Sequence, residues 1–451
     1  MALTGIQILK MLPKKNCGEC GIPTCLAFAM KVAAGQTEIG ECPYVSDEVK
    51  ATIGEASAPP IRTIKLGTAA DTFAAGGETC LFRHEKRFEN PTGLGVLVTT
   101  DMAEADLDGR LKRFNSLRFE RVGVMMKADL VAVKDTKGDE AAFIGLIKKV
   151  LDGAADAKLI LMSDTPALLK AGAAACGDRK PLLFGATAGN AAAMADLGKE
   201  TGLVIGVKGA NVDDTVAISE KLIAAGLKDL VIDTGARTVR AALEDNVMAR
   251  RAAVRKKFKP LGFPVIAFPC EMTDDPLMEA MIASVLIAKY AGIIILSDLQ
   301  GDTLFPLFLE RLNIFTDPQR PMVVQQDVYS INGPAENSPV VITCNFSLTY
   351  FIVSGEIEGS KVPTWLLIKD TEGLSVLTAW AAGKFGADMV AQFIKKSGIE
   401  SKIKHRELII PGYLASMKGE LEEELAGWTI TIGPREAGHL PSFLKEWKPA
   451  A

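Results

Sequence analysis

Eight short apolar runs follow one another between residues 95 and 298: GVLVTT (95–100), ADLVAVKD (128–135), AKLILMSD (157–164), PLLFGAT (181–187), GLVIGVKG (202–209), DLVIDTG (229–235), PVIAFPC (264–270) and GIIILSD (292–298). Short length and β-branched content favour strands buried on both faces, as in a parallel sheet. Helical patterns such as DEAAFIGLIKKVLDGA and DDTVAISEKLIAAGL lie between them. Eight strand–helix units over roughly 200 residues predict an α/β fold with a closed (β/α)8 TIM barrel. An open doubly wound sheet of eight strands is the alternative. The Asp and Gly residues that end the runs are common turn and cap chemistry.

The pattern restarts near residue 320. PMVVQQ and SPVVITCNFSLTYFIVSGEIEGS are apolar and read as β-rich. TWLLIKD (364–370) precedes a long helical pattern, GLSVLTAWAAGKFGADMVAQFIKKSG; RELIIPGY (406–413) precedes SMKGELEEELA; WTITIGP (428–434) precedes the tail. This alternation predicts a small open, Rossmann-like α/β sheet. The loops KDTEG, PGYLAS and GPREAG open at the carboxyl ends of its strands, where open parallel sheets bind ligands. The plain alternative is ordinary turns, which use the same Gly and Asp. TDPQRPMVVQQ (316–326), with Pro318 and Pro321, suits a boundary and a hinge.

Four of the eight cysteines crowd into the first tenth of the chain: Cys17, Cys20, Cys25 and Cys42, spaced C-x2-C-x4-C-x16-C. One loop can present the first three thiolates to a compact metal core, with Gly18 and Gly21 allowing close turns. Cys42 precedes Pro43, a frequent arrangement at the last ligand of an iron–sulfur cluster. TCLAFAMKVAAG reads as a helix that ends at Gly35 and carries the chain away before GECP returns it. A four-iron cluster fits this spacing best. Zinc usually shows two C-x2-C pairs or Cys/His pairs, and structural or redox thiols remain a further alternative. The other four cysteines are scattered and read as small buried hydrophobes. ATIGEASAPP (51–60), small residues closed by two prolines, reads as a linker.

Length and composition bound the rest. A chain of 451 residues suggests about three domains. We place their boundaries at 1–58, cluster segment and linker; 59–320, barrel; and 321–451, the C-terminal domain. A formal net charge of −4 implies no basic patch, so nucleic acid is not an expected partner. The N-terminus lacks a signal-peptide apolar region. The most apolar stretch, MIASVLIAKYAGIIILS, is interrupted by Lys289 and too short to span a bilayer. A soluble cytoplasmic protein follows as the expectation, in a compartment that keeps thiols reduced.

The stretch LPKKNCGECGIPTCLAFAMKVAAGQTEIGECPYV, the barrel, and VVITCNFSLTYFIVSGEIEGSKVPTWLLIKDTEGLSVLTAWAAGKF together resemble the large (gamma) subunits of corrinoid iron–sulfur proteins over the whole chain. The resemblance implies a methyl carrier of the reductive acetyl-CoA pathway, in the acetyl-CoA decarbonylase/synthase system. Its corrinoid cobalt takes methyl from methyltetrahydrofolate through a methyltransferase and delivers it to acetyl-CoA synthase. A [4Fe-4S] cluster returns Co(II) to Co(I), and a small subunit completes a heterodimer. The resemblance carries Cys17, Cys20, Cys25 and Cys42 over as cluster ligands. It places a cobalamin-type corrinoid on the C-terminal domain, at Val340, Thr343 and Phe346; at Asp370, Thr371, Glu372, Gly373, Leu374, Ser375 and Thr378; at Gly412 and Tyr413; and at Gly433, Pro434 and Arg435.

None of the three histidines, His84, His405 and His439, lies in a D-x-H-x-x-G context. A base-off cobalt without a protein ligand is the expectation. The competing reading is an iron–sulfur electron-transfer subunit with a scaffold barrel. A third reading makes the barrel itself the methyltransferase, with Asp164, Asp233, Glu271 and Asp298 as candidate acids at strand ends. No constellation among them names a pterin site, so we assign no catalytic residue.

Overall fold

The computed structural model describes residues 4–33, 37, 39–121, 124–318 and 321–449. All eight apolar runs become parallel strands of one closed barrel, beginning at Gly93–Thr99 and ending at Ala291–Leu296. They follow chain order around the barrel, and pairing of Ile293 with Gly93 and Leu296 with Val96 closes it. The open-sheet alternative is thereby excluded. Both faces are covered, so strands such as Lys158–Met162 and Leu182–Ala186 are buried at every position. The helical patterns expected between them appear as Glu140–Gly153 and Val212–Ala224, capped by the side chains of Asp139 and Asn211.

The amino end of the barrel is filled by a hairpin that the sequence reading does not anticipate. Strands Ile64–Gly67 and Thr72–Ala75 pair antiparallel. Ile64, Leu66 and Ala75 join the interior cluster of Leu130, Leu182 and Ile293. Lys180 exchanges backbone hydrogen bonds with Gly67 at 3.1 and 3.2 Å.

The expected linker 51–60 is largely a helix, Asp47–Ser57. Asp47 and Glu48 complement its first turn, and Ile53 is fully buried among the cysteine segment's apolar residues. The helix expected to end at Gly35 spans Cys25–Ala33; Gly35 itself lies outside the described residues.

The chain divides into two compact units, Met1–Leu117 with Ala128–Phe315, and Arg118–Lys127 with Thr316–Ala451. The second contains a five-stranded sheet in the order Asp327–Ile331, Thr364–Lys369, Val340–Cys344, Glu407–Ile410, Thr429–Ile432. The first of these is an antiparallel edge strand and the other four run parallel.

Three expectations for this unit change. SPVVITCNFSLTYFIVSGEIEGS is a strand, Val340–Cys344, followed by a helix, Ser347–Ser360, because Ser347, Ser354, Ile357 and Ser360 turn inward at helical spacing. PMVVQQ forms only an isolated bridge, Val323 to Phe346. The long helix splits into Val376–Ala381 and Ala387–Ser397, separated by Gly383 in the left-handed region (φ 71°). The unit also takes in a hairpin from the barrel sequence, Phe119–Arg121 with Val124–Met126, whose Arg121 guanidinium lies 5.4 Å from the Phe351 ring centroid.

Within the first unit, one buried ion pair ties the segment before the barrel to a barrel helix. Arg250 Nη2 donates to Glu78 Oε2 at 2.8 Å and Arg250 Nε to the Cys80 carbonyl at 2.9 Å. The guanidinium also lies 5.2 Å from the Phe88 ring centroid and 4.9 Å from that of Tyr290. Burial pushes the Glu78 carboxyl up and Arg250 opposes it. Removing one partner strands the other charge. Glu78→Ala is expected to cost about 3–5 kcal/mol in denaturant unfolding of the first unit, with Glu78→Met less costly than Glu78→Ala because it keeps the packing.

Candidate functional site

The cysteine loop has an unusual backbone. Lys14 (φ 54°), Asn16 (49°) and Gly18 (75°) are left-handed, while Lys15 and Cys17 between them are not. Such alternation turns successive N–H groups into one concavity of the kind that receives anions and iron–sulfur centres. Two non-glycine residues held there cost about 1–3 kcal/mol each, so the surroundings must impose the shape. Asn16 does part of this: its N–H donates to Cys25 Sγ at 3.4 Å and its Oδ1 accepts from Cys25 N at 2.7 Å.

All eight cysteines are free. Cys17 is exposed, Cys20 and Cys25 are half-buried, and Cys42 lies in the small core against which Cys20 and Cys25 pack. Among the described residues no three Cys, His, Asp or Glu side chains converge as a single metal ion requires. A four-iron cluster spreads its thiolates over separate irons. Four free thiols in one segment, on a loop with left-handed turns, are the donor chemistry that group takes.

A second site forms in the C-terminal unit. The connection after Val340–Cys344 runs to the strand on one side and that after Glu407–Ile410 to the strand on the other, so a crevice opens between these two neighbours. The two strands pair at Val341 and Ile409. Beyond this point their carboxyl ends line a cavity of about 400 Å³. Ile352, Val376, Leu377 and Leu440 supply apolar wall, and Thr343, Thr349, Ser375 and Tyr413 supply hydroxyls. This is the lining of a site for a largely apolar group with a polar rim. Tyr413 donates to Glu436 Oε1 at 2.7 Å, and this bond with the carboxylate's charge holds the phenol above its usual range.

Of the residues singled out from sequence, Thr343, Ser375, Tyr413, Gly433, Pro434 and Arg435 come together in this wall. Val340 lies fully buried in the core instead. Phe346 precedes the helix Ser347–Ser360 and packs on the same core. Asp370, Thr371, Glu372, Gly373 and Leu374 form the turn just before Ser375, and Thr378 lies with its hydroxyl 3.0 Å from that of Ser375. Gly412 lies behind the wall, where a Cβ would come within 2.5 Å of the Gly433 carbonyl and 2.8 Å of Arg435 N. Sequence reasoning misses Thr349, Ile352 and Val353, because their helix reads as β-rich; its 3.6-residue spacing of inward positions was the available signal.

A family model described as CO dehydrogenase/acetyl-CoA synthase delta subunit matches residues 63–444, and one described as a putative Fe-S cluster matches 12–44. The Moorella thermoacetica "Corrinoid/iron-sulfur protein large subunit" is 42% identical, with 99% of each chain covered. The chain belongs to the family of corrinoid/iron-sulfur protein large subunits. Another member, the "Acetyl-CoA decarbonylase/synthase complex subunit gamma" of Methanopyrus kandleri, is 33% identical over 98% of both chains. The delta description covers only residues 63–444, whereas the large and gamma subunits match across the cysteine segment as well. Among solved structures, a Yersinia pestis dihydropteroate synthase aligns with a TM-score of 0.35 and 14% identity, over 49% of this chain and 93% of that one, too distant to bear on function.

In this large-subunit family member the four candidate barrel acids are all engaged in ion pairs. Asp233, buried, takes both terminal nitrogens of Arg237 at 3.0 and 2.7 Å, and Glu271 takes Arg237 Nε at 2.5 Å and Lys134 Nζ at 3.0 Å. Burial alone would push the Glu271 carboxyl up; Lys134 and Arg237 outweigh it and hold it low. Asp164 pairs with Lys208 at 2.8 Å and Asp298 with Arg113 at 2.7 Å.

The close approach at Gly412 is directly testable. Gly412→Ala drives a methyl group into backbone atoms of Gly433, Pro434 and Arg435, and is expected to destabilise the C-terminal unit by about 1–3 kcal/mol in denaturant titration. Gly419→Ala, with no left-handed backbone and nothing near its Cβ position, serves as the comparison without a close approach.

Proposed function

We propose that the chain carries methyl groups in an acetyl-CoA decarbonylase/synthase system, with a corrinoid in the crevice at residues 341–343, 375–377, 409–413 and 433–438 and a [4Fe-4S] cluster on Cys17, Cys20, Cys25 and Cys42. The observation that carries this reading is the combination, in one chain, of the N–H-rich cysteine loop and the apolar, hydroxyl-rimmed crevice at the switch point of a parallel sheet. Full-length similarity to corrinoid/iron-sulfur large subunits supports it.

The corrinoid, when bound, supplies a cobalt that accepts and releases methyl, and the cluster supplies single electrons to keep that cobalt reduced. The chain's own residues do the rest. The hydroxyls of Thr343, Ser375 and Tyr413 would meet the amides of a corrinoid rim, and Val376 and Leu377 would give the macrocycle apolar cover. The lining offers hydroxyls and no imidazole among the described residues. His405 is occupied by the Ser338 carbonyl and by Glu407 N. The partners under this reading are the small subunit, a methyltetrahydrofolate methyltransferase and acetyl-CoA synthase.

A methyl donor, a methyl acceptor and an electron source cannot share one cobalt face, so the C-terminal unit has to move under this proposal. Of the expected hinge 316–326, residues 322–324 are tied down: Val324 N donates to the Asn345 carbonyl at 2.9 Å and Ser347 N to that of Met322 at 3.1 Å. Gln319 and Arg320 lie outside the described residues. The passages at 117–118, 127–128 and 315–316 are where the chain changes unit.

Metal analysis of the isolated heterodimer tests the core of the proposal: about four irons and one cobalt per large subunit are expected, and absence of cobalt with iron present leaves the electron-transfer reading. Cys20→Ala is expected to lose the iron yet retain corrinoid absorbance; loss of both would refute separate sites. Asp298→Asn is expected to leave methyl transfer within about tenfold, or about 1.4 kcal/mol of barrier. A fall of several orders of magnitude in an intact heterodimer would make the barrel catalytic.

A further inference from the structure

Asn345 stands outside the cavity wall. It follows the strand Val340–Cys344 and is only 3% exposed. Its Oδ1 accepts from the backbone N–H of Thr371 at 2.9 Å and of Gly373 at 3.1 Å. The Thr371 hydroxyl lies 2.9 Å from the same oxygen and 2.8 Å from the Leu374 carbonyl, and donates its one proton to either. The amide Nδ2 donates to Asp370 Oδ1 at 2.8 Å. The amide can lie only this way round, because a flip would set its N–H groups against two backbone N–H groups.

These bonds hold a turn that its own residues do not favour. Leu374 N closes it on the Thr371 carbonyl at 3.2 Å, and both central residues are left-handed, Glu372 at φ 56° and Gly373 at φ 77°. Glycine suits the second position; glutamate at the first costs about 1 kcal/mol or more. Asp370 Oδ1 braces the same turn by accepting from Glu372 N at 2.9 Å, while Gln326 Oε1 accepts from Asp370 N at 2.9 Å. The turn delivers the chain directly to Ser375, Val376 and Leu377, which line the crevice.

We infer that Asn345 is the positioning residue of the crevice: its side-chain amide, fastened to one strand end, fixes the 370–374 turn and so sets where Ser375–Leu377 meet a bound corrinoid. The ligand in this statement rests on the function proposed above; the hold on the turn does not.

The test uses the full-length heterodimer freed of corrinoid, with cobinamide as the probe. N345D keeps the acceptor for both backbone N–H groups but sets a carboxylate oxygen against Asp370. It is expected to speed amide exchange at Thr371 and Gly373 and to weaken cobinamide binding, each by about tenfold or more. Lowering the pH should partly rescue cobinamide binding by N345D, since one shared proton on the introduced carboxyl can bridge the two carboxylates and leave Asp370 Oδ1 to accept from Glu372 N; a general loss of packing would show no such recovery. Wild-type exchange in N345D, or no recovery of its cobinamide binding at low pH, overturns the assignment. If cobinamide fails to bind the wild-type chain, the functional reading falls, while the exchange data still decide what Asn345 does.

Discussion

Parallel pairing sends every strand of a sheet out at the same edge, so the loops that follow the strands are gathered whether or not they have anything to do. This chain does it twice, with opposite results. Around the barrel the gathered side chains are charged and satisfy one another: Lys134, Glu271, Arg237 and Asp233 form one connected web, and Lys208 with Asp164 and Arg113 with Asp298 close further positions. At the C-terminal sheet they are mostly hydroxyls, apolar groups and glycine backbone, with Arg435 and Glu436 the charged exceptions, and the space between them stays open. A web of paired charges resists a ligand, because any newcomer must break existing pairs in a partly dry site. An open crevice with scattered hydroxyls loses little on being filled.

The same contrast explains what could be read in advance. Strands covered on both faces have to be apolar at nearly every position, and the eight barrel strands were therefore visible as uninterrupted runs. The edge strand Asp327–Ile331, half wet and carrying Asp, Tyr and Ser, had no such signature. The helix Ser347–Ser360 was hidden for another reason. Threonine, tyrosine, phenylalanine, isoleucine and valine follow in succession, a composition that favours a strand, and contact with the sheet overrode that preference.

At the candidate site the loops were legible and the side chains only partly so. Gly412, Gly433 and the turn after Lys369 announce themselves by turn residues. Whether a given residue faces the crevice depends on register, which placed Thr343 in the wall and Val340 in the core. Asn345 was invisible, because nothing local distinguishes a buried asparagine that braces a turn some 25 residues away from one that caps its own helix. In the cysteine segment the spacing was plain, but the left-handed Lys14 and Asn16 were not, since lysine gives no hint that a backbone will be forced there.

The hairpin Phe119–Arg121 with Val124–Met126 has a consequence for heredity. It is encoded between the first two barrel strands yet belongs to the unit that otherwise begins at Thr316. Arg121 reaches the Phe351 ring, and burial raises the phenols of Tyr329 and Tyr350, with the Glu120 charge adding to it. A gene fragment that starts at residue 316 or later encodes a sheet whose aromatic side has lost its cover. The C-terminal unit is thus not portable by simple end-to-end joining: a lineage that borrowed it alone would lose part of its own packing, and one that rebuilt the barrel would have to preserve a ten-residue insertion that groups with the other unit.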